Sequence, residues 1–318
     1  MTYQTRPLTQ LAKPTELPNA FADPDAVLDL IRAGAPYKTQ EAAHKHPNVT
    51  HTGGWFRNFW ALGGKIVFDG AEPFFHNPTF INAAKDSFGA EIIRPVAMMT
   101  NLNLPADGLP PHLDLPWFRG AMNREVPAWM LAPMGYSGLF HRWAVPVASV
   151  VTWFYDGAGG EFEYWPGGLA APSQTMRPPF HNQGVMADNE YMFHRVGALG
   201  RKADLLAADA IPYEARLHLD GDEWTVRNDD AEMLRYPCAE VRLSVLWKAY
   251  CFRDESEAQA FDDRSDDLTP DLIAGLFHSD LSARGIACEA ASGDFSDPTW
   301  KRVLEAAYPA PTVPPAKV

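Results

Sequence analysis

The sequence predicts a mainly β fold with flanking α-helices, built around a double-stranded β-helix, that is, a cupin-like jelly-roll core. Short alternating or β-rich segments follow one another between residues 91 and 252, and apolar runs of helical period lie before and after this block. The strands do not alternate with helices, which argues against a parallel sheet. The 28 prolines and 23 glycines also favour short strands and loops over a helical bundle.

The elements follow in chain order. Asp23 and Pro24 begin an apolar-periodic helix within an otherwise loop-rich N-terminal region. Asp220-Gly221 is a favoured dipeptide of tight hairpins. The helical pattern returns near the C-terminus, where each segment starts with an N-cap and a proline. The expected strands are 92–103, 145–155, 161–165, 190–196 and 241–252, with a short extended piece at 112–118 and helices at 269–277 and 297–307.

No repeat or linker divides the chain, so we expect one domain spanning residues 1–318. Its parts are a helical and loop-rich region at 1–90, the jelly-roll core at 91–252 with an insertion at 197–239, C-terminal helices at 253–308 and a disordered tail at 309–318.

Composition restricts the partners and the compartment. A net charge of −13 argues against nucleic acids and anionic membranes, both of which attract basic surfaces. The three cysteines, Cys238, Cys251 and Cys288, are odd in number and far apart, which fits a reducing compartment. The first residues lack the apolar run of a signal peptide, so the expected location is cytoplasmic.

Three His-x-Asp pairs are candidate metal ligands. With 10 histidines and 40 acidic residues, chance alone explains some of them, so the context must decide. His112 and Asp114 lie in an extended segment, where residues i and i+2 share a face and can bind one ion. The other pairs are less suitable, because one runs into a hairpin turn (His218 and Asp220) and one lies in a predicted helix (His278 and Asp280).

A third ligand is expected on a later strand. In the segment Glu190–Val196, His194 shares an otherwise apolar face with Met192 and Val196. His141 and His181 are poorer candidates, since His141 abuts a different loop and His181 lies in an irregular segment. Two histidines and one carboxylate on one side of an ion leave positions open, an arrangement typical of oxygen-activating iron(II) rather than structural zinc.

A fixed cation is expected on the last long strand. Arg242 and Ser244 are two residues apart and therefore share a face. A guanidinium binds a carboxylate through two hydrogen bonds, and the hydroxyl adds a third. The pair is thus a candidate anchor for a small dicarboxylate.

The order of these motifs resembles the iron(II)/2-oxoglutarate-dependent dioxygenase superfamily, over residues 91–252. The resemblance implies a jelly-roll enzyme that uses Fe(II), 2-oxoglutarate and O2, and that oxidises a C–H bond while releasing succinate and CO2. It implies that Arg242 and Ser244 bind the far carboxylate of 2-oxoglutarate. It also implies that Asn101 and Asn103, at the end of the strand before the metal pair, contact 2-oxoglutarate. In many members the arginine follows the distal histidine closely; here a long interval intervenes, which leaves Arg195 and Arg201 as alternatives. The matching motifs are His112-Leu-Asp114, Gly159-Gly160-Glu161, Phe193-His194-Arg195-Val196 and Arg242-Leu-Ser244.

The expected substrate is a small molecule that undergoes hydroxylation or a related oxidation. Its candidate contacts are Trp117, Phe118, Arg119 and Trp165. Selectivity is expected to come from segments 117–124, 168–184 and 197–239, around the mouth of the barrel. A homodimer through the terminal helices is a further expectation. Two alternatives are a related iron enzyme that does not use 2-oxoglutarate and a non-catalytic metal-binding jelly roll.

Overall fold

A computed structural model of the chain describes residues 12–46, 49–122, 126–290 and 293–311. The end of the expected C-terminal tail, 312–318, lies outside the described residues. The helices are α1 (Pro24–Ala33), α2 (Gln40–Ala43), α3 (Glu72–Phe75), α4 (Pro78–Phe88), α5 (Ala128–Ser137), α6 (Glu255–Asp262), α7 (Pro270–Ala283) and α8 (Pro298–Ala307). The first eight strands are β1 (Thr15–Leu17), β2 (Tyr37–Thr39), β3 (His51–Thr52), β4 (Trp55–Leu62), β5 (Lys65–Ile66), β6 (Ile92–Asn103), β7 (Val147–Tyr155) and β8 (Phe162–Trp165). The others are β9 (Gln174–Met176), β10 (Phe180–Ala187), β11 (Phe193–Val196), β12 (Ile211–Pro212), β13 (Arg216–Asp220), β14 (Glu223–Asn228), β15 (Ala231–Pro237) and β16 (Arg242–Phe252).

Most strands belong to one large antiparallel sheet. Its order in the described chain is β1-β10-β7-β16-β6-β4-β2-β13-β14-β15, with β5 paired to β4. A smaller sheet has the order β11-β8-β9, and an isolated antiparallel bridge between His112 and His194 extends it at the β11 edge.

The chain path between the two sheets is that of a jelly roll. The chain starts in the large sheet with β6, enters the small sheet at His112 and returns with β7. It then places β8 and β9 in the small sheet, β10 in the large one, β11 in the small one and β16 in the large one. Eight extended segments thus alternate between two facing antiparallel sheets. The predicted fold class, mainly β with flanking helices around a jelly-roll core, is confirmed.

Strands that do not belong to the jelly roll widen the large sheet. The hairpin β13–β14, at the predicted Asp220-Gly221 turn, lies between β11 and β16 in sequence and pairs with β2. Strand β2 pairs in turn with β4, and β4 pairs with β6 of the jelly roll. The chain between β11 and β16 is therefore joined by hydrogen bonds to the N-terminal strands.

Alternation along β16 separates the outer core from the interior of the jelly roll. Val245, Trp247 and Ala249 are buried with apolar side chains of the N-terminal region, and Trp247 Nε1 donates to the Phe75 carbonyl at 2.8 Å. The opposite face presents polar side chains, Arg242 and Ser244 among them, to the interior. A separate apolar cluster joins α5, α7 and α8.

The predicted helix starts are present. Asp23 Oδ1 accepts from the Ala26 amide at 3.0 Å, Thr269 Oγ1 from the Leu272 amide at 3.2 Å, and Asp297 Oδ1 from the Thr299 amide. Among the helices in the described ranges, none is long and apolar enough to cross a membrane.

Candidate metal centre and cavity

His112 and His194 face each other across the edge of the small sheet. The His112 amide donates to the His194 carbonyl at 3.0 Å, and the His194 amide donates to the His112 carbonyl at 3.0 Å. This reciprocal backbone pair brings the ring centroids to 4.5 Å. Two residues that are far apart in sequence are therefore held side by side by main-chain hydrogen bonds.

Both imidazoles have the same orientation. Nδ1 of His112 donates to the Pro110 carbonyl at 2.9 Å, and Nδ1 of His194 donates to the Met192 carbonyl at 3.0 Å. A carbonyl only accepts, so in each ring Nε2 is left as the lone-pair atom. Burial lowers the pKa of His194 to about 4, and this outweighs the opposite effect of Asp114. The His194 ring is thus neutral at physiological pH, as a metal ligand must be.

Asp114 completes a cluster of three donors. Its amide donates to the Asn189 carbonyl at 2.9 Å, and its Oδ1 lies 3.8 Å from His194 Nε2. One ligand atom from each of His112, Asp114 and His194 lies within 4.8 Å of the other two. The structure therefore brings the three predicted ligands together around one point.

A buried lysine holds the second oxygen of Asp114. Lys248 Nζ lies 2.7 Å from Asp114 Oδ2 and 2.7 Å from Glu190 Oε1, and Glu190 is only 2% exposed. Burial alone raises the pKa of Asp114, but the charge of Lys248 and the neighbouring histidines outweigh it and hold that pKa well below its usual range. For Lys248, the two carboxylates outweigh burial and raise its pKa. Burial raises the pKa of Glu190. Our sequence reasoning missed Lys248 and Glu190.

A cavity of ≈430 Å³ opens from the three donors into the jelly roll. Such a volume is in the range of small-molecule sites. The lining combines polar and charged side chains with apolar ones, so the cavity suits ligands that have both polar and apolar groups. Besides the three donors, its lining includes Arg57, Asn101, Asn103, Arg242, Ser244, Leu104, Leu109, Val151, Trp153, Phe162 and Leu246.

Arg242 supplies a buried cation to this cavity. It is 2% exposed, its Nε donates to the Gly160 carbonyl at 3.0 Å, and its guanidinium carbon lies 5.6 Å from the ring centroid of Trp153. Burial lowers the pKa of Arg242 to about 9, so the group is still charged at neutral pH. Within the described chain it has no ion pair, and its Nη2 has no hydrogen-bond partner. Ser244 is on the same face of β16 and also lines the cavity.

The two alternative arginines are already engaged. Arg195 Nε donates to Glu163 Oε2 at 2.7 Å, and Arg201 Nε donates to Asp204 Oδ2 at 2.7 Å. Neither lines the cavity.

Asn101 and Asn103, the two asparagines predicted to contact the co-substrate, both line the cavity. The Asn101 carbonyl oxygen, however, accepts from Trp55 Nε1 at 3.0 Å and from Arg57 Nε at 2.6 Å. Asn101 therefore positions a second arginine. Our sequence reasoning missed Arg57 as well.

The structure does not bring the four predicted substrate contacts to the cavity. Phe118 is 1% exposed and packs against Phe140. Trp117 packs against Tyr250, Arg119 binds Asp266 at 2.8 Å, and Trp165 lies under Arg195, on the face of β8 away from the interior.

The two other His-x-Asp pairs serve different purposes. Asp220 binds Arg227 at 2.6 Å, and His278 packs against Trp300. Asp280 accepts from the Tyr308 hydroxyl at 2.8 Å.

No protein-family model and no curated protein matches this sequence. Solved structures with a similar chain path include an oxidoreductase of the 2OG-Fe(II) oxygenase family from Burkholderia pseudomallei, at 14% identity over 75% of this chain and 84% of that chain, with a TM-score of 0.41. A prolyl hydroxylase from Trichoplax adhaerens, in complex with a hypoxia inducible factor peptide, is 12% identical over 78% of this chain and 87% of its own, with a TM-score of 0.41. A Pseudomonas putida prolyl-4-hydroxylase is 12% identical over 76% and 94%, with a TM-score of 0.39. Similarity at this level assigns no residue and no activity, so the function must be argued from the cavity.

Proposed function

We propose that this chain is an iron(II)- and 2-oxoglutarate-dependent oxygenase that oxidises a C–H bond of a small molecule. The observation that carries the proposal is that one cavity contains a His-Asp-His donor set and, opposite it, a buried guanidinium with an unused N–H group. The donors require a metal ion, and Arg242 requires a carboxylate. 2-Oxoglutarate meets both requirements, because its 2-oxoacid end binds a metal and its far carboxylate is free for Arg242.

The donor set suits iron(II). His112 and His194 present Nε2, and Asp114 presents Oδ1, while Lys248 occupies Asp114 Oδ2. Asp114 therefore has one oxygen free for an ion. Three protein donors leave the remaining positions of an octahedral ion open to other ligands, as in non-haem iron(II) oxygenases.

The opposite wall suits a dicarboxylate. An unpaired charge in a buried site costs several kcal/mol unless a partner completes it, and Arg242 Nη2 lacks one in the described chain. A carboxylate accepts from a guanidinium through charge-assisted bonds, and Ser244 lies beside it for a further one. We infer that 2-oxoglutarate binds with its far carboxylate at Arg242 and its 2-oxoacid end towards the donors.

With iron and 2-oxoglutarate bound, the chemistry supplied is oxidation by O2, in which one oxygen atom enters succinate and the other hydroxylates the substrate, with release of CO2. The chain's own contribution is to bind, orient and exclude water. Trp153 and Phe162 close the inner wall, and Val151 and Leu246 add apolar surface beside the polar anchors.

The test is the anaerobic addition of iron(II) and then 2-oxoglutarate to the apoprotein. We expect a visible charge-transfer band that is absent from His194→Ala and present in His218→Ala, a control from an equally spaced His-x-Asp pair. Arg242→Ala should retain the band but need about thirtyfold more 2-oxoglutarate, because a charge-assisted contact contributes roughly 2 kcal/mol. The absence of a band from the wild type, at saturating metal and 2-oxoglutarate, would overturn the proposal.

A further inference from the structure

A second buried arginine enters the cavity from outside the jelly roll. Arg57 lies on β4, is 7% exposed and lines the same cavity as the donor set. Its Nε donates to Asn101 Oδ1 at 2.6 Å, and its guanidinium carbon lies 5.0 Å from the Trp55 ring centroid. Three elements therefore hold this side chain in one orientation, since Nη1 also donates to Nε2 of His44 on the segment after α2.

Within the described ranges, no ion pair neutralises the charge of Arg57. Burial lowers its pKa to about 10, and the nearby Asp114 and Glu41 favour the charged form. Yet neither carboxylate forms a salt bridge with it, and no other described carboxylate does so. Glu41 accepts instead from the Thr52 hydroxyl. Among the described contacts, Nη2 of Arg57 has no hydrogen-bond acceptor, and the cavity lies beside it.

Arg57 and Arg242 are separate anchors. In the register of the large sheet, Arg57 pairs with Asn101, which pairs with Ser244, while Arg242 pairs with Asn103. The two arginines are thus separated by two strand spacings across the sheet and by two residues along the strands. Their Cα atoms therefore lie roughly 12 Å apart. In the proposed function, one carboxylate of 2-oxoglutarate meets the metal and the other meets Arg242, so neither remains for Arg57.

We propose that Arg57 binds a carboxylate of the oxidised substrate, and that the substrate class is therefore small carboxylic acids with an apolar body; this inference rests on the proposed function. Nη2 of Arg57, which lacks an acceptor among the described contacts, can donate to one carboxylate. A phosphate dianion is disfavoured, because Glu41 and Asp107 line the same cavity. Leu104, Leu109 and Leu206 also line it and suit the hydrocarbon part.

The experiment compares acids with their own amides. Protein loaded with zinc, as an inert stand-in for iron, and saturated with 2-oxoglutarate is titrated with hexanoic, octanoic, decanoic and 3-phenylpropanoic acid, and with the primary amide of each. Dissociation constants come from ligand-observed NMR, so no turnover is needed. We expect at least one acid to bind about tenfold or more tightly than its amide, as a charge-assisted contact predicts.

Two variants assign that preference to Arg57. Arg57→Met should abolish the preference for the acid while leaving the affinities for the amide and for 2-oxoglutarate within about twofold. Arg57→Lys retains the charge but not the planar fork, and should keep a reduced preference. It also tests the site if Arg57→Met does not fold, since an undiminished preference in Arg57→Lys contradicts a bond to the guanidinium. Arg242→Met, tested without 2-oxoglutarate, should retain the preference.

The outcomes separate the two proposals. If no acid binds more tightly than its amide, or if the preference survives Arg57→Met, the inference is wrong while 2-oxoglutarate binding still supports the function. A loss of 2-oxoglutarate affinity in Arg57→Met would make Arg57 part of the co-substrate site and overturn the inference. If 2-oxoglutarate does not bind to the wild type, the proposed function fails, and the preference for the acid is measured without it.

Discussion

Lys248→Met should destabilise the apoprotein strongly. Lys248 Nζ lies 2.7 Å from a carboxylate oxygen of Asp114 and 2.7 Å from one of Glu190, and the lysine is 9% exposed. At an effective dielectric constant of about 20, each contact corresponds to roughly 6 kcal/mol of Coulomb energy, most of which offsets the cost of burying the charges. Methionine has a similar volume but leaves both carboxylates without their cation. We expect a loss of about 3–5 kcal/mol in the free energy of unfolding.

The assay is urea unfolding of metal-free protein, with Lys301→Met as the matched control. Lys301 lies 3.9 Å from Glu305, and both side chains are 55% exposed, so the control should change the free energy of unfolding by about 0.5 kcal/mol or less. A double-mutant cycle with Glu190→Gln should give a coupling energy of about 1–3 kcal/mol, since the second substitution removes one of the stranded charges. A Lys248→Met protein as stable as Lys301→Met would refute the reasoning.

Two further predictions concern His194 and the glycines. Because burial lowers the pKa of His194 from 6.5 to about 4, the unfolded chain binds a proton that the folded chain excludes, and the metal-free protein loses stability as the pH falls below 6.5. By pH 5 this loss is about 2 kcal/mol and should be missing from His194→Gln; equal pH dependence of unfolding in both proteins would contradict it. Gly159 has a φ of +69°, and an added Cβ would lie 2.0 Å from the Ala198 carbonyl oxygen, whereas at Gly63, with a φ of +59°, nothing lies within 4 Å. Gly63→Ala should therefore cost about 1 kcal/mol in thermal unfolding and Gly159→Ala distinctly more; similar costs would argue against the clash.

Strand alternation explains why the donor set could be predicted from sequence. His112 and Asp114 are two residues apart in an extended segment, and Arg242 and Ser244 are two apart on β16, so each pair shares a face whatever the rest of the fold does. The same rule carried four residues past Ser244 reaches Lys248, a charge on the interior face of a buried strand. The sequence therefore indicates an inward-facing lysine. Its role as the ion-pair partner of Asp114 depends on the tertiary structure and cannot be predicted from β16 alone.

Other parts of the fold depend on long-range pairing. Strand β4 lies in a region that reads as loop and helix, so nothing local distinguishes Arg57 from a surface arginine. Strand β10 is not among the strands that the sequence predicts, since Pro178, Pro179 and Gly184 are typical of turns. Gly184 is instead in mid-strand, where an added Cβ would lie 2.8 Å from the Val151 carbonyl oxygen, so close contact with β7 requires glycine.

Proximity to Asp114 in sequence does not identify the residues that line the cavity. Trp117, Phe118 and Arg119 follow Asp114 closely, and we expected them around the open side of the metal. Instead, Trp117 packs against Tyr250 of β16, Phe118 belongs to the apolar cluster of α5, α7 and α8, and Arg119 binds Asp266. The N-terminal strand β4 supplies that wall of the cavity.

The two sheets contribute different groups to the cavity. The large sheet supplies two cations to the lining, Arg57 from β4 and Arg242 from β16, and the segments of the small sheet supply the metal donors. Lys248 is balanced within the protein by Asp114 and Glu190, but neither arginine has an ion pair in the described chain. Since buried charges without partners are costly, the two arginines are the groups that gain most from an anion. In the proposed function, the far carboxylate of 2-oxoglutarate accounts for Arg242, which leaves Arg57 for a carboxylate of a second molecule.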